Sequence, residues 1–162
     1  MGITVSYQRI SASKFTEIQN NPESAEEFFD SIHAAKTRLS IQKEWQAIHY
    51  LLTGEIAFDE SQAEPPLCNV VMGGKSTKIE ATYGYVRYFL PSEVNELAQS
   101  LAGVVREDLR NRFDLIGDRE IYGREDEWDE DEWEFLIGIL ESMICFFQEA
   151  ATNSEVILIS SD

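Results

Sequence analysis

The sequence predicts a single α+β domain over residues 1–162: a small, mostly antiparallel sheet packed against several helices, one of them long and C-terminal. Three observations point there. GITVSYQRI (2–10) alternates apolar and polar residues as a half-buried strand does. EVILIS (155–160) is nearly all apolar, the pattern of a strand covered on both faces and central in its sheet. Between them run helical periodicities, the longest over 129–152. A chain of 162 residues suits one domain and can bury about 70% of the surface that its unfolded form exposes.

The elements follow in order. Short helical patterns occupy Lys14–Asn20 and the stretch from Pro22, where Asn21 can cap and proline takes the first helical position. RLSIQKEWQAIHYLLTG (38–54) predicts a helix, since Ile41, Trp45, Ile48 and Leu52 share one face. Ser40 stands where an N-cap would be, and Gly54 where a C-terminal stop would be. Residues 55–66, with their acids and Pro65-Pro66, predict a loop, and Leu67–Met72 is a short apolar piece ending at Gly73-Gly74. YGYVRYFL (83–90) predicts a strand closed by Pro91. Helices are expected from Ser92 to about Ala102 and over roughly Arg106–Phe113, with 114–124 as a connector.

In REDEWDEDEWEFL (124–136) eight acids fill the ten positions from Glu125 to Glu134, around Trp128 and Trp133. Taking Asp129 as N-cap puts Glu132 at the third helical position, which makes a capping box. It also puts Trp128 and Trp133 at the two positions that a hydrophobic staple joins. Acids in the first turn are favoured by the unpaired N–H groups and the helix dipole. Trp133, Leu136, Ile137, Leu140, Ile144, Phe147 and Ala151 then keep one apolar face to about Thr152. Helix initiation accounts for the tryptophans. The acids exceed what a cap requires, so Glu125, Asp126, Glu127, Asp129, Glu130 and Asp131 remain a candidate surface for a partner.

The net charge of −17 survives in sign when that acidic block is set aside, so acidity is general. It predicts repulsion from nucleic acid and anionic membranes and attraction to basic proteins; solubility alone is its plainer use. No apolar run approaches the roughly 20 residues needed to span a bilayer. Nor does the N-terminus pair a basic segment with an apolar one, so no secretion signal is expected. Met1-Gly2 with Ser6 fits a myristoylation pattern, but the strand alternation there and the lack of a following basic cluster argue against it. Cys68 and Cys145 both sit in apolar settings, which predicts buried free thiols and a reducing cytoplasm.

Chemical motifs are incomplete. GGKST (73–77) is similar to a phosphate-binding loop, but Asn69 stands where that pattern requires glycine, and no apolar helix follows. His33 and His49 are the only histidines, without a metal-ligand spacing; a histidine hydrogen-bonded at the edge of the core is the expected state of His49. There is no GxSxG elbow, and neither cysteine has basic neighbours. In YGYVRYF, alternation sets Tyr83, Tyr85 and Arg87 on one side and Val86 and Tyr88 on the other. An arginine among tyrosines suits a planar or anionic ligand, or plain surface stacking.

IQKEWQAIHYLLTG (41–54), PLCNVVMGG (66–74), YGYVRYFLPSEV (83–94) and EIYG (120–123), with the long helix and terminal strand, resemble the bacterial YfbM-like family of domains of unknown function. The most specific part is Trp45-x-x-x-His49 with Leu52-Thr53-Gly54. Three positions depart from the family pattern: Gln42 replaces an aspartate, Leu90 a Thr or Ser cap, and Gly123 a proline. The resemblance implies one α+β domain of a bacterial cytoplasm and brings no reaction and no cofactor. It offers Trp45, His49, Thr53, Gly73, Gly74, Tyr85, Arg87 and Tyr122 as pocket candidates.

Charge and the lack of a complete catalytic motif favour a non-enzymatic, acidic interaction protein that engages a basic or mixed partner, in the manner of inhibitor and immunity proteins. The alternative is an enzyme or small-ligand-binding domain with a cleft near Trp45, His49, Tyr85, Arg87 and Tyr122. Convergence of these side chains on an open, partly exposed pocket would favour the second reading; Trp45 and His49 sealed in the core, or pointing different ways, would count against it.

Overall fold

Val156, Ile157, Leu158 and Ile159 are each at most 1% exposed, because β5 (Val156–Ser161) is the middle strand of the sheet and both its faces are covered. The structure, a computed structural model, describes residues 2–124 and 128–162. The other strands are β1 (Val5–Ile10), β2 (Arg38–Gln42), β3 (Lys75–Glu80) and β4 (Tyr85–Phe89). Their order is β2-β1-β5-β4-β3, every pairing is antiparallel, and Ile159 of β5 lies between Tyr7 and Arg87. Eight α-helices are present among the described residues: α1 (Ala12–Asn20), α2 (Ala25–Phe29), α3 (Ile32–Lys36), α4 (Trp45–Thr53), α5 (Asn69–Met72), α6 (Pro91–Ala102), α7 (Arg106–Asp114) and α8 (Glu130–Thr152).

The period of two along each strand divides these helices into two layers. Val5, Tyr7, Phe89, Ile157 and Ile159 face the larger core, which α4 to α8 complete. Ile10, Val86, Val156 and Leu158 face a smaller core closed by Phe15, Ile18, Phe28 and Ala34 from α1 to α3. Each large apolar side chain buried in this way contributes roughly 1.5–3 kcal/mol relative to exposure.

The segment 38–54 departs from its predicted single helix. Arg38–Gln42 is an edge strand on β1, and only Trp45–Thr53 is helical. Leu39 and Ile41 satisfy a period of two as well as Ile41, Trp45 and Ile48 satisfy a helical one; pairing with β1 decides between them. Gln42 ends the strand at φ 51°, and the Ser40 hydroxyl accepts from its N–H (3.3 Å) instead of capping a helix. Gly54 does stop the helix, at φ 78°. β3 is an addition to the three strands expected. It is polar and half exposed because it is an edge, and lysines at an edge discourage further pairing. Lys75 of the GGKST stretch opens that strand, and no glycine-rich cradle forms.

At the start of α8 the Asp129 carboxylate accepts from the N–H of Glu132 (3.0 Å). The two indoles meet through a third ring: Trp128 stacks on Phe113 at 4.8 Å and Trp133 packs edge-on against it at 5.3 Å. α8 is long and apolar enough to cross a membrane, but its apolar face (Leu136, Leu140, Met143, Phe147) is buried in the larger core. Both cysteines are free. Cys68 is buried as expected, whereas Cys145 is exposed, since it falls on the outward face of α8 between Glu141 and Gln148.

Candidate functional site

Trp45 opens α4 directly beyond the turn that ends β2, which sets its indole at the end of the sheet where β1 begins. Its Nε1–H donates to the Ile3 carbonyl (3.0 Å), and the Tyr122 ring lies against it at 5.2 Å. The Tyr122 hydroxyl accepts from the Ile3 N–H (2.5 Å), so the first residues of the chain are tied to both rings. Phe58, from the 55–66 loop, packs edge-on against Trp45 at 5.6 Å.

Arg87 approaches from β4, on the larger-core side, while Val86 and Tyr88 take the other side as alternation predicts. Its Nη1 donates to the Gly73 carbonyl (2.5 Å) and its Nη2 to that of Val71 (3.1 Å), which caps the end of α5. None of the ion pairs among the described residues involves it. Burial depresses its pKa by disfavouring the charge, partly offset by the nearby Tyr7 phenol. That phenol is pushed above its ordinary value by its own burial and donates to the Val70 carbonyl (2.7 Å).

Trp45 and Arg87 together wall a pocket of about 260 Å³, open on one side. Val5 and Val71 complete its buried lining, and Phe58, Asp59 and Tyr83 form an exposed rim. A concave apolar site with one fixed cation is the usual architecture of small-ligand recognition.

The remaining pocket candidates lie elsewhere. His49 is fully buried, and its Nε2–H donates to Glu55 (2.8 Å), while Nδ1 has no hydrogen-bond partner. Glu55 also accepts from Ser61 Oγ (2.6 Å) and Gln62 N–H (2.6 Å); the His49 bond first, then Ser61, holds its pKa at about 2. Thr53 donates to the His49 carbonyl (2.8 Å) and accepts from the Glu55 N–H (3.1 Å). This group anchors the loop that carries Phe58 and does not line the pocket. Gly73 contributes only its carbonyl to Arg87, and Gly74 turns the chain into β3 at φ 96°. Tyr85 is 51% exposed at the β3–β4 end. Sequence reasoning left out Phe58 and Asp59; an aromatic residue within an acidic loop was their one signal.

The acidic candidates also separate. Glu125, Asp126 and Glu127 lie outside the described residues. Asp129 is the helix cap and Glu130 pairs with Arg110, which leaves Asp131 exposed without an ion pair among the described residues. Further along α8, Phe135 is 53% exposed and borders a shallow groove of about 380 Å³ with Leu39, Ile139, Glu134 and Ser142, beside the open edge of β2. No cluster of three or more His, Cys, Asp or Glu among the described residues is placed to hold a metal.

The chain is similar to Protein YfbM of Escherichia coli (strain K12), with 28% identity over 127 residues, 75% of this chain and 74% of that protein. Its fold is similar to the crystal structure of a protein of unknown function, YfbM from Escherichia coli. The TM-score is 0.74 at 21% identity, and the match covers 98% of this chain and 99% of the other. Residues 1–160 match the model of the domain of unknown function DUF1877, and the chain belongs to that family.

Proposed function

We propose that this protein is a small-ligand-binding domain whose site is the pocket between Trp45 and Arg87. One observation carries the reading: a half-buried guanidinium, partnered among the described residues by backbone carbonyls alone, lines an open, aromatic-walled cavity. Arg112 and Arg119 are also held by backbone carbonyls, but neither lines this cavity. The proposal is one of binding rather than catalysis, because His49 is committed to Glu55 and does not line the cavity. Free thiols at Cys68 and Cys145 support a reducing, cytoplasmic setting. A fragment library screened by 1H–15N NMR tests the reading through the three indole N–H signals. Saturable shifts of Trp45 alone are expected; a library that moves none of the three, or moves Trp128 and Trp133 equally, defeats it.

A second reading, a docking face for a basic or mixed protein partner, draws on the groove beside Phe135 and on the net charge. An exposed aromatic ring next to acids and an unpaired sheet edge is a recognised pattern for partner binding. Pull-down from the host at low and high salt, with Phe135→Asp beside the wild type, tests it. A basic protein held by the wild type, released by salt and lost with Phe135→Asp is the expected result. Equal recovery by both chains would remove the face from consideration.

A further inference from the structure

Resting on the pocket reading above, we infer that the ligand is a small planar carboxylate, its carboxyl group on Arg87 and its flat body against Trp45 and the rim aromatics.

The charge follows from the donor count. A guanidinium carries five N–H donors in a fixed planar fork. Two of them go to the Gly73 and Val71 carbonyls, which fix the fork in place without neutralising it. The rest remain for a group at the pocket wall. Because burial disfavours the arginine charge, an anion that enters here relieves a cost already present in the empty protein. A carboxylate matches the fork in geometry as well as in charge.

Arg87 is the one cation among the described lining residues, and this sets an upper limit on ligand charge. Among the described residues no lysine or second arginine lines the cavity, and Asp59 stands on its rim. A dianion would meet one guanidinium, one carboxylate and a chain of net charge −17, which disfavours phosphate relative to a monoanion. Size and shape point the same way. About 260 Å³ accommodates a single ring with a short substituent, and Phe58 and Tyr83 offer exposed ring surface beside the buried wall that Trp45, 3% exposed, provides.

Benzoate is the probe, with benzamide as its neutral isostere and inorganic phosphate as the competing anion. Titrations follow the Trp45 indole N–H signal at constant ionic strength. Benzoate is expected to give a saturable shift with a dissociation constant of about 1 mM. Benzamide should bind about tenfold more weakly. Arg87→Lys keeps the charge but loses the fork, and should weaken benzoate by about tenfold. Should Arg87→Lys fail to fold, the wild-type contrast between benzoate and benzamide decides. Tyr83→Ala, on the exposed rim, should then weaken benzoate several-fold at unchanged melting temperature, and Phe58→Ala, which also loses its edge contact with Trp45, should weaken it likewise. Equal shifts with benzoate and benzamide would overturn the carboxylate and leave the pocket reading standing. Tighter binding of phosphate would overturn it as well. No movement of Trp45 with any probe would overturn both.

Discussion

Glu55 is a surface carboxylate put to structural use. It gathers the His49 ring, the Ser61 hydroxyl and the Gln62 N–H, and so pins the start of the loop that delivers Phe58 to the pocket. These bonds lower its pKa from the ordinary 4.5 to about 2. A depressed carboxylate adds stability that is fully present above the unfolded pKa and is lost as pH falls through the folded one. The window is therefore pH 4.5 down to about 2. Glu55→Gln should lower stability by a constant amount between about pH 5 and 7, and the gap to the wild type should narrow on further acidification. Urea denaturation across that range measures it; a gap that widens toward acid would contradict the assignment. His49 is a packing residue on the same argument. His49→Ala leaves a cavity and takes one of three donors from the Glu55 carboxylate, and should cost about 2–4 kcal/mol while benzoate still binds. A variant of native stability that no longer binds would place His49 in the site. In the sequence these two roles look alike, because a buried histidine on a glutamate and a catalytic one share the same letter and the same helix face. Trp45 and Arg87 were legible as candidate types, but their meeting depends on sheet order, which no local pattern contains.

At the scale of elements, α8 is held at its foot by more than its cap. Arg124 bonds both Glu44, at the start of α4, and Glu132, in the first turn of α8. All three side chains are nearly buried. Removing the shared guanidinium takes a charged partner from two nearly buried carboxylates at once, so Arg124→Met should cost about 3–5 kcal/mol. Asp129→Ala should cost only about 1 kcal/mol, the usual worth of an N-cap. Chemical denaturation of the two variants gives the order, and a larger loss for Asp129→Ala would reverse this account of the helix start. The indoles and the apolar stripe of α8 were readable because capping and a period of 3.6 are local rules. β2 and β3 were not, since an edge strand exists only through its neighbour. Gln42 marks the boundary: a left-handed φ of 51° suits glycine, asparagine or aspartate better than glutamine. Gln42→Gly should therefore raise stability by up to about 1 kcal/mol; a melting temperature below the wild type would refute this reading of the turn.

For the molecule as a whole, the question is whether its charges hold it together or push it apart. Arg9, Arg106, Arg110 and Arg124 each pair with two acids, while Arg112 and Arg119 are spent on backbone carbonyls. Most bases are thus engaged, and the surplus of 30 acids over 13 bases is left to repel itself across the surface. Exposed pairs such as Arg106 with Glu134 and Glu141 are worth at most about 1 kcal/mol each, and salt weakens them. Repulsion summed over a net charge of −17 is the larger effect and is screened by the same salt, since the Debye length falls from about 30 Å at 0.01 M to about 10 Å at 0.1 M. The nearly buried Arg124 group barely responds. Raising sodium chloride from about 0.02 to 0.5 M should therefore raise the melting temperature, by about 2–4 °C for each kcal/mol of repulsion removed. Changing the exposed Glu64, Glu96 and Glu120, which make none of the ion pairs among the described residues, to their amides should raise it at low salt and flatten its salt dependence. A melting temperature that falls with sodium chloride would mean that the surface pairs outweigh the repulsion, and the acidic excess would then need an explanation other than mutual repulsion tolerated in the folded state.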